Sequence, residues 1–183
     1  MNREERIARN LETPRMFWVD LNFPANSTPG LHDLIQKYIG PESIVVEVGS
    51  FRGVSSELFA CYCKTLYCVD PFSIGDPEID VHLQNAEIHF DQLVGEMSNI
   101  VKIKKKSVDA ATDFDNLTLD AVYIDAMHDY ENVKADIIAW RSKIKPGGII
   151  SGHDFNEGSV AQAVRETLGE PEVFSDFSWA VVL

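Results

Sequence analysis

The chain has 183 residues, a formal net charge of −13, and apolar and charged fractions of 45% and 25%. That length supports one domain with a real core, and the acidic balance argues against a nucleic-acid surface, which needs clustered cations. No apolar run approaches the roughly 20 residues of a membrane span, and Met1-Asn2-Arg3-Glu4-Glu5-Arg6 lacks the apolar centre of a secretion signal, so a cytoplasmic location is expected.

Residues 1–40 read as a polar, helical N-terminal extension or lid, interrupted by Pro14, Pro24 and Pro29. Within it, Met16-Phe17-Trp18 is read as an apolar patch sealing the sheet edge, with a substrate-pocket wall as the other reading. In the core, residues 41–183, apolar runs at 44–48, 66–70, 100–104, 119–125 and 148–152 alternate with longer periodic stretches at 55–63, 82–97, 130–142 and 160–168. That alternation implies right-handed βαβ units and a parallel sheet. Cys61, Cys63 and Cys68 lie in apolar surroundings and are odd in number, which favours reduced, buried thiols; Cys61-Tyr62-Cys63 lacks the spacing and the histidine of a zinc knuckle. Lys102, Lys104, Lys105 and Lys106 mark a solvated strand edge, where lysines discourage aggregation. Segments 171–174 and 177–183, joined by Ser175-Asp176, form an antiparallel hairpin at one edge.

The first strand breaks into Gly49-Ser50-Phe51-Arg52-Gly53 and then into a helical pattern. A tight turn at the C-terminal end of a parallel strand lets the backbone approach a cofactor closely. The next strand ends in Asp70, a carboxylate able to accept from both hydroxyls of a ribose. Together they point to a nucleoside cofactor. A dinucleotide site needs G-x-G-x-x-G, and here Phe51 stands where the second glycine belongs. Glu47, at the strand end, would repel a pyrophosphate, yet it suits a ligand carrying an ammonium and a sulfonium.

These residues, with Tyr123-Ile124-Asp125-Ala126-Met127-His128-Asp129-Tyr130 and Lys145-Pro146-Gly147-Gly148-Ile149-Ile150-Ser151-Gly152-His153-Asp154-Phe155, resemble the class I S-adenosylmethionine-dependent methyltransferases. The resemblance runs from about Ile44 to the C-terminus and is nearest the small-molecule O-methyltransferase branch, with its Asp-x-x-His-x-Tyr, Pro-Gly-Gly and His-Asp pattern. It implies an α/β fold: a three-layer, Rossmann-like sandwich whose seven-stranded, mostly parallel sheet ends in the antiparallel hairpin. By resemblance, Glu47 and the loop of Gly49, Ser50, Phe51 and Gly53 would hold the methionine part of the cofactor, and Asp70 the ribose. Ser107, Val108 and Asp109 would border the adenine, an acidic side chain there accepting from its exocyclic amine. The same three residues also read as a helix N-cap, and the two roles are compatible.

Asp125 and Asp154 end two strands expected to be neighbours, so both carboxylates would face the cofactor cleft. Carboxylate oxygens suit a hard cation such as magnesium. In the metal-dependent O-methyltransferases that the pattern resembles, such aspartates hold a cation that lowers the acceptor hydroxyl's pKa and aims its oxygen. Asp125 also borders the cofactor, and Asp125 and Asp154 are the candidate metal ligands. His153 is a third ligand or the general base; His128 either takes part in catalysis, touches the cofactor or anchors a helix start. Asp125, His128 and His153 are thus the candidate catalytic residues. Tyr130 and Trp140 read as core, His32, His82 and His89 as surface, and Arg52 as a contact to the cofactor carboxylate or an exposed salt bridge. The expected activity is methyl transfer from S-adenosylmethionine to an oxygen of a small molecule such as a sugar or secondary metabolite. An inactive cofactor-binding or interaction module and an NAD(P)-dependent oxidoreductase are the alternatives. A small-molecule acceptor is the expected partner, with no nucleic acid and no membrane, and a homo-oligomer is left open.

Overall fold

Strands fall where the apolar runs fall. The computed structural model describes residues 1–12 and 29–183. Its strands are β1 (Ile44–Val48), β2 (Thr65–Val69), β3 (Ile100–Ile103), β4 (Leu119–Ile124), β5 (Ile144–Gly152), β6 (Glu172–Val173) and β7 (Trp179–Val182). They form one seven-stranded sheet in the order β3-β2-β1-β4-β5-β7-β6. The pairs among β1 to β5 are parallel, and β7 runs antiparallel to both β5 and β6. The three-layer sandwich with a C-terminal antiparallel hairpin is therefore borne out.

The helices are α1 (Arg3–Glu12), α2 (Pro29–Tyr38), α3 (Val54–Ala60), α4 (Pro77–Val94), α5 (Ser107–Ala111), α6 (Tyr130–Arg141) and α7 (Gly158–Leu168). Alternation along β1 divides the core in two, because successive strand side chains face opposite sides. Val45 joins Leu34 of α2, Phe59 of α3 and Phe90 of α4, whereas Val46 and Val48 join Ala110 of α5, Ile137 and Trp140 of α6, and Val164 of α7. Two apolar layers thus enclose the central strands, leaving only the strand ends open to ligands.

Three local features differ from the sequence reading. Pro29 opens α2 rather than interrupting a helix, since proline at the first helical position sacrifices no internal hydrogen bond. Leu31, Leu34 and Ile35 behind it are fully buried, and the Leu31 amide donates to Asp176 Oδ2 at 2.8 Å, which joins α2 to the hairpin turn. Strand β5 begins at Ile144 instead of 148; Pro146 lies in the stretch bulged out between the Leu119↔Ile144 and Ala121↔Ile149 pairs, where its missing N–H costs no ladder bond. Residues 107–111 form a five-residue helix whose N-cap is Lys106, with no side-chain cap hydrogen bond, so Ser107, Val108 and Asp109 lie inside the helix rather than cap it. The patch Met16-Phe17-Trp18, with Pro14 and Pro24, lies outside the described residues.

Helix α1 rests on α3 through charge. Arg6 Nη1 lies 2.8 Å from Glu57 Oε1, and Arg9 pairs with the same oxygen. At the open edge, Lys102 in β3 and Lys104 and Lys105 just beyond it find acids: Lys102 with Asp91 at 2.7 Å and Glu87 at 2.9 Å, Lys104 with Glu87 at 2.7 Å, Lys105 with Asp113 at 2.5 Å; Lys106, the fourth expected lysine, is the N-cap of α5. All three cysteines are free thiols, Cys63 and Cys68 buried and Cys61 half-buried. Among the described residues no helix is long and apolar enough to cross a membrane.

Candidate cofactor and catalytic site

Strand order reverses between β1 and β4, the point at which open α/β sheets bind ligands beyond their carboxyl ends. A cavity of about 740 Å³ opens there, within the range of small-molecule sites. Its walls come from the loop after β1, the tip of β2, the start of α5, the loop after β4 and the inner face of α6.

The loop after β1 has a conformation that explains its glycines and its one exception. Gly49 has φ of 88°, and a Cβ there would lie 2.0 Å from the carbonyl oxygen of Asp125, so only glycine lets the β1 and β4 tips meet. Phe51 also has positive φ, 44°. The position expected to hold a second glycine has a glycine-like backbone, and the phenyl group is carried at a cost of about 1–2 kcal/mol. Gly49, Ser50 and Phe51 line the cavity, as does Arg52, whose guanidinium lies 5.4 Å from the Phe51 ring centroid. Gly53 (φ 82°) turns the chain into α3 and lies behind the wall.

Glu47 is fully buried and does not reach the cavity. It accepts from the Ser56 hydroxyl and also engages Ser50 and Ser55, while burial raises its carboxyl above the usual range and these hydroxyls oppose the rise. Its place is under the loop, joining β1 to the first turn of α3. Asp70 lines the cavity at the β2 tip and braces the loop as well, accepting from the Phe51 amide at 2.9 Å and the Phe72 amide at 2.7 Å. Burial raises its pKa, and these two amides hold it down. Ser107, Val108 and Asp109 line the opposite end, with Val108 and Asp109 exposed.

Asp125, half-buried, and His128 line the cavity at the β4 tip. Asp154 follows β5 with φ of 58°, a left-handed backbone seldom adopted by a non-glycine and one that clusters at functional positions. Its carboxylate lies between two imidazoles, Oδ2 3.0 Å from His128 Nε2 and Oδ1 3.0 Å from His153 Nδ1. His128 Nε2 is also 3.9 Å from Asp125 Oδ1, and its Nδ1 is 3.4 Å from Glu157. Asp125, then Asp154 and Glu157, raise the His128 pKa to about 9 against the opposing effect of burial. One ligand atom from each of Asp125, His128 and Asp154 falls within 4.8 Å of the others, a grouping able to hold a metal ion. The third donor in this group is His128. His153 is buried at 3% exposure, set behind the cavity, with its carbonyl accepting from Trp179 Nε1 at 3.0 Å.

Two cavity residues on α6, Asn132 and Asp136, escape the sequence reading. A signal existed for Asp136: it occupies the buried stripe Val133, Asp136, Ile137, Trp140, where every other member is apolar.

Comparison with known proteins places the chain. A family model described as a methyltransferase domain matches residues 46–155, more than half of the sequence, and the chain belongs to that methyltransferase family. An uncharacterized protein of Sinorhizobium fredii, y4gI, is 25% identical over 120 residues, which make up 60% of this chain but only 13% of that protein. Several solved structures share the fold. A candidate methyltransferase from Streptococcus mutans, in complex with SAH, superposes with a TM-score of 0.59 at 12% identity, covering 78% of this chain and 80% of that one. CalS11, a TDP-rhamnose 3'-O-methyltransferase of calicheamicin biosynthesis, gives 0.58 at 12% identity, covering 98% and 92%. An rRNA methylase from Streptococcus thermophilus gives 0.57 at 15% identity, covering 82% and 90%.

Proposed function

We propose that the chain transfers the methyl group of S-adenosylmethionine to a hydroxyl oxygen of a small molecule. The observation that carries this reading is the cluster of Asp125, His128 and Asp154 beside the same cavity that the glycine loop and Asp70 line. It sets an anionic, hydroxyl-accepting group next to the place where a sulfonium held by the loop would present its methyl carbon. The acidic chain and the cavity size favour a small acceptor over a nucleic acid.

Transfer from a sulfonium is an in-line displacement. The acceptor oxygen attacks the methyl carbon, the C–O bond forms as the C–S bond breaks, and the hydroxyl proton leaves to a base. Positioning supplies most of the acceleration in such a step. Asp125 accepts the hydroxyl's hydrogen bond and turns the oxygen's lone pair toward the methyl group. His128, held protonated by its carboxylates, contributes a positive charge that offsets the developing oxyanion. Asp154 fixes the His128 ring, and Glu47 and Asp70 hold the loop against which the cofactor rests.

The donor set fits a divalent cation: two carboxylates with water completing the shell suit magnesium, and the imidazole extends the set to manganese or zinc. Asp125 and Asp154 would hold it, with His128 as a neutral imidazole whose proton the cation displaces. A bound cation would supply Lewis-acid polarisation of the acceptor hydroxyl in place of the imidazolium charge. The test is methyl transfer from labelled S-adenosylmethionine to a panel of sugars, catechols and other hydroxylated small molecules, with RNA and peptides alongside, in magnesium or in chelator. The reading predicts label on oxygen of a small molecule, lost on Asp125→Asn. Label on RNA, peptide or nitrogen contradicts it.

A further inference from the structure

Helix α1 lies outside residues 46–155, the part of the chain that the methyltransferase family model matches, yet it reaches the wall of the cavity. We infer that Asn10 of α1 is a positioning residue for the cofactor. By holding the carbonyl of Val54 it fixes the stretch of wall formed by Val54 and Ser55, an inference that rests on the S-adenosylmethionine reading above.

The glycine loop needs to be held. Gly49 and Gly53 stand at its two ends, both with positive φ, and glycine has the widest backbone freedom. The loop runs into α3, only seven residues long, whose N-cap is Gly53 with no side-chain cap hydrogen bond. A short helix with an uncapped start frays. Two tethers come from the sheet: Glu47 accepts from the Ser56 hydroxyl, and Asp70 accepts from the Phe51 amide. Neither takes hold of the Val54 backbone. Asn10 does, from α1, where its side-chain amide donates to the Val54 carbonyl. Ser55 follows directly and its hydroxyl engages Glu47, so a shift of Val54 would also loosen that tether.

Helix α1 is built to place this amide. Arg3 Nε donates to the Cys61 carbonyl at 2.6 Å, Arg6 Nη1 lies 2.8 Å from Glu57 Oε1, and Asn10 donates to Val54. Positions 3, 6 and 10 share one face of α1, while their partners step backward along α3 turn by turn. The two helices are therefore antiparallel, in a register set by polar groups, and a slip of one turn would break all three contacts. Asn10 is only 2% exposed, a position where an apolar side chain would carry no desolvation cost. An amide there supplies direction, and the direction is toward the cavity wall.

The experiment is calorimetric titration of the full chain with S-adenosylhomocysteine, beside urea unfolding, in the wild type, Asn10→Ala and Asn10→Asp; the second variant keeps the size of the side chain and removes the donor. Both should bind the ligand about fivefold more weakly, the worth of one hydrogen bond. Ile35→Val, which thins the core beneath α2 and lowers stability away from the cavity, should stay within about twofold of the wild type. Coupling is reciprocal, so saturating S-adenosylhomocysteine should slow amide exchange in α1 of the wild type by about the same fivefold factor. A purely structural Asn10 would lower stability and leave the affinity untouched; that result overturns the inference, as does equal weakening in Ile35→Val. So does α1 exchange that ignores the ligand in the wild type, a measurement that needs no variant to fold. Absence of S-adenosylhomocysteine binding by the wild type overturns the cofactor reading itself, and the inference with it.

Discussion

The amide of Phe51 donates to Asp70 Oδ2 at 2.9 Å, tying the glycine loop after β1 to the tip of β2. The other carboxylate oxygen accepts from Phe72 at 2.7 Å, and both donors have positive φ, 44° and 50°. One carboxylate therefore stabilises two unfavourable backbone turns around the cavity. Asp70→Ala leaves one buried and one part-buried amide without acceptors and should cost about 2 kcal/mol in urea unfolding. It should weaken S-adenosylhomocysteine binding by more than this stability loss alone explains, because the ribose acceptor is removed as well. An unchanged affinity would confine Asp70 to the brace.

The loop makes a contrasting pair of predictions. Gly49→Ala puts a Cβ into the Asp125 carbonyl at a φ of 88° and should cost at least about 3 kcal/mol, since neither backbone can give way. Phe51→Gly trades left-handed strain for unfolded-state entropy and should change stability by no more than about 1 kcal/mol. Urea unfolding of both variants checks the order; equal losses would contradict it.

Glu57 is 1% exposed and receives Arg6, itself 8% exposed, and Arg9. Glu57→Ala leaves the buried Arg6 guanidinium with only the exposed Glu96, 3.0 Å from its Nη2, and should lower stability by about 2 kcal/mol. Amide exchange should show the loss centred on α1 and the start of α3, where the Asn10 side chain also holds the Val54 carbonyl.

Asp136 gives the ligand-free protein a pH dependence of definite sign. Its pKa rises from 3.8 to about 6 on folding, so between those values the folded state binds more protons than the unfolded one. Its contribution to stability therefore falls as pH rises through that window, and the penalty is complete above it. Asp136→Asn should remove this decline and be more stable at neutral pH, by on the order of 2–3 kcal/mol. Urea unfolding from pH 4 to 8 reads the difference directly.

Much of this was legible in the sequence where one signal dominated. The run 44–48 is a strand because β-branched residues fill both faces of a central position, and β1 has those bounds. The carboxylates Asp125 and Asp154 could be placed together because each ends a strand and β4 pairs with β5. What sequence could not resolve was direction. His128 and His153 lie next to equally acidic neighbours, but His128 stands in the loop after β4 on the cavity wall, whereas His153 follows β5 and is buried behind it. Glu47 was placed at the strand end, but its odd register with Val45 turns it toward α3. Asp136 was overlooked because its helix satisfied a packing pattern.

The most direct test of the cofactor assignment is calorimetric titration of the intact protein with S-adenosylhomocysteine and, in parallel, with NAD. Micromolar binding of the first, absent with the second, is the predicted result. Binding of NAD with no response to S-adenosylhomocysteine would contradict the assignment.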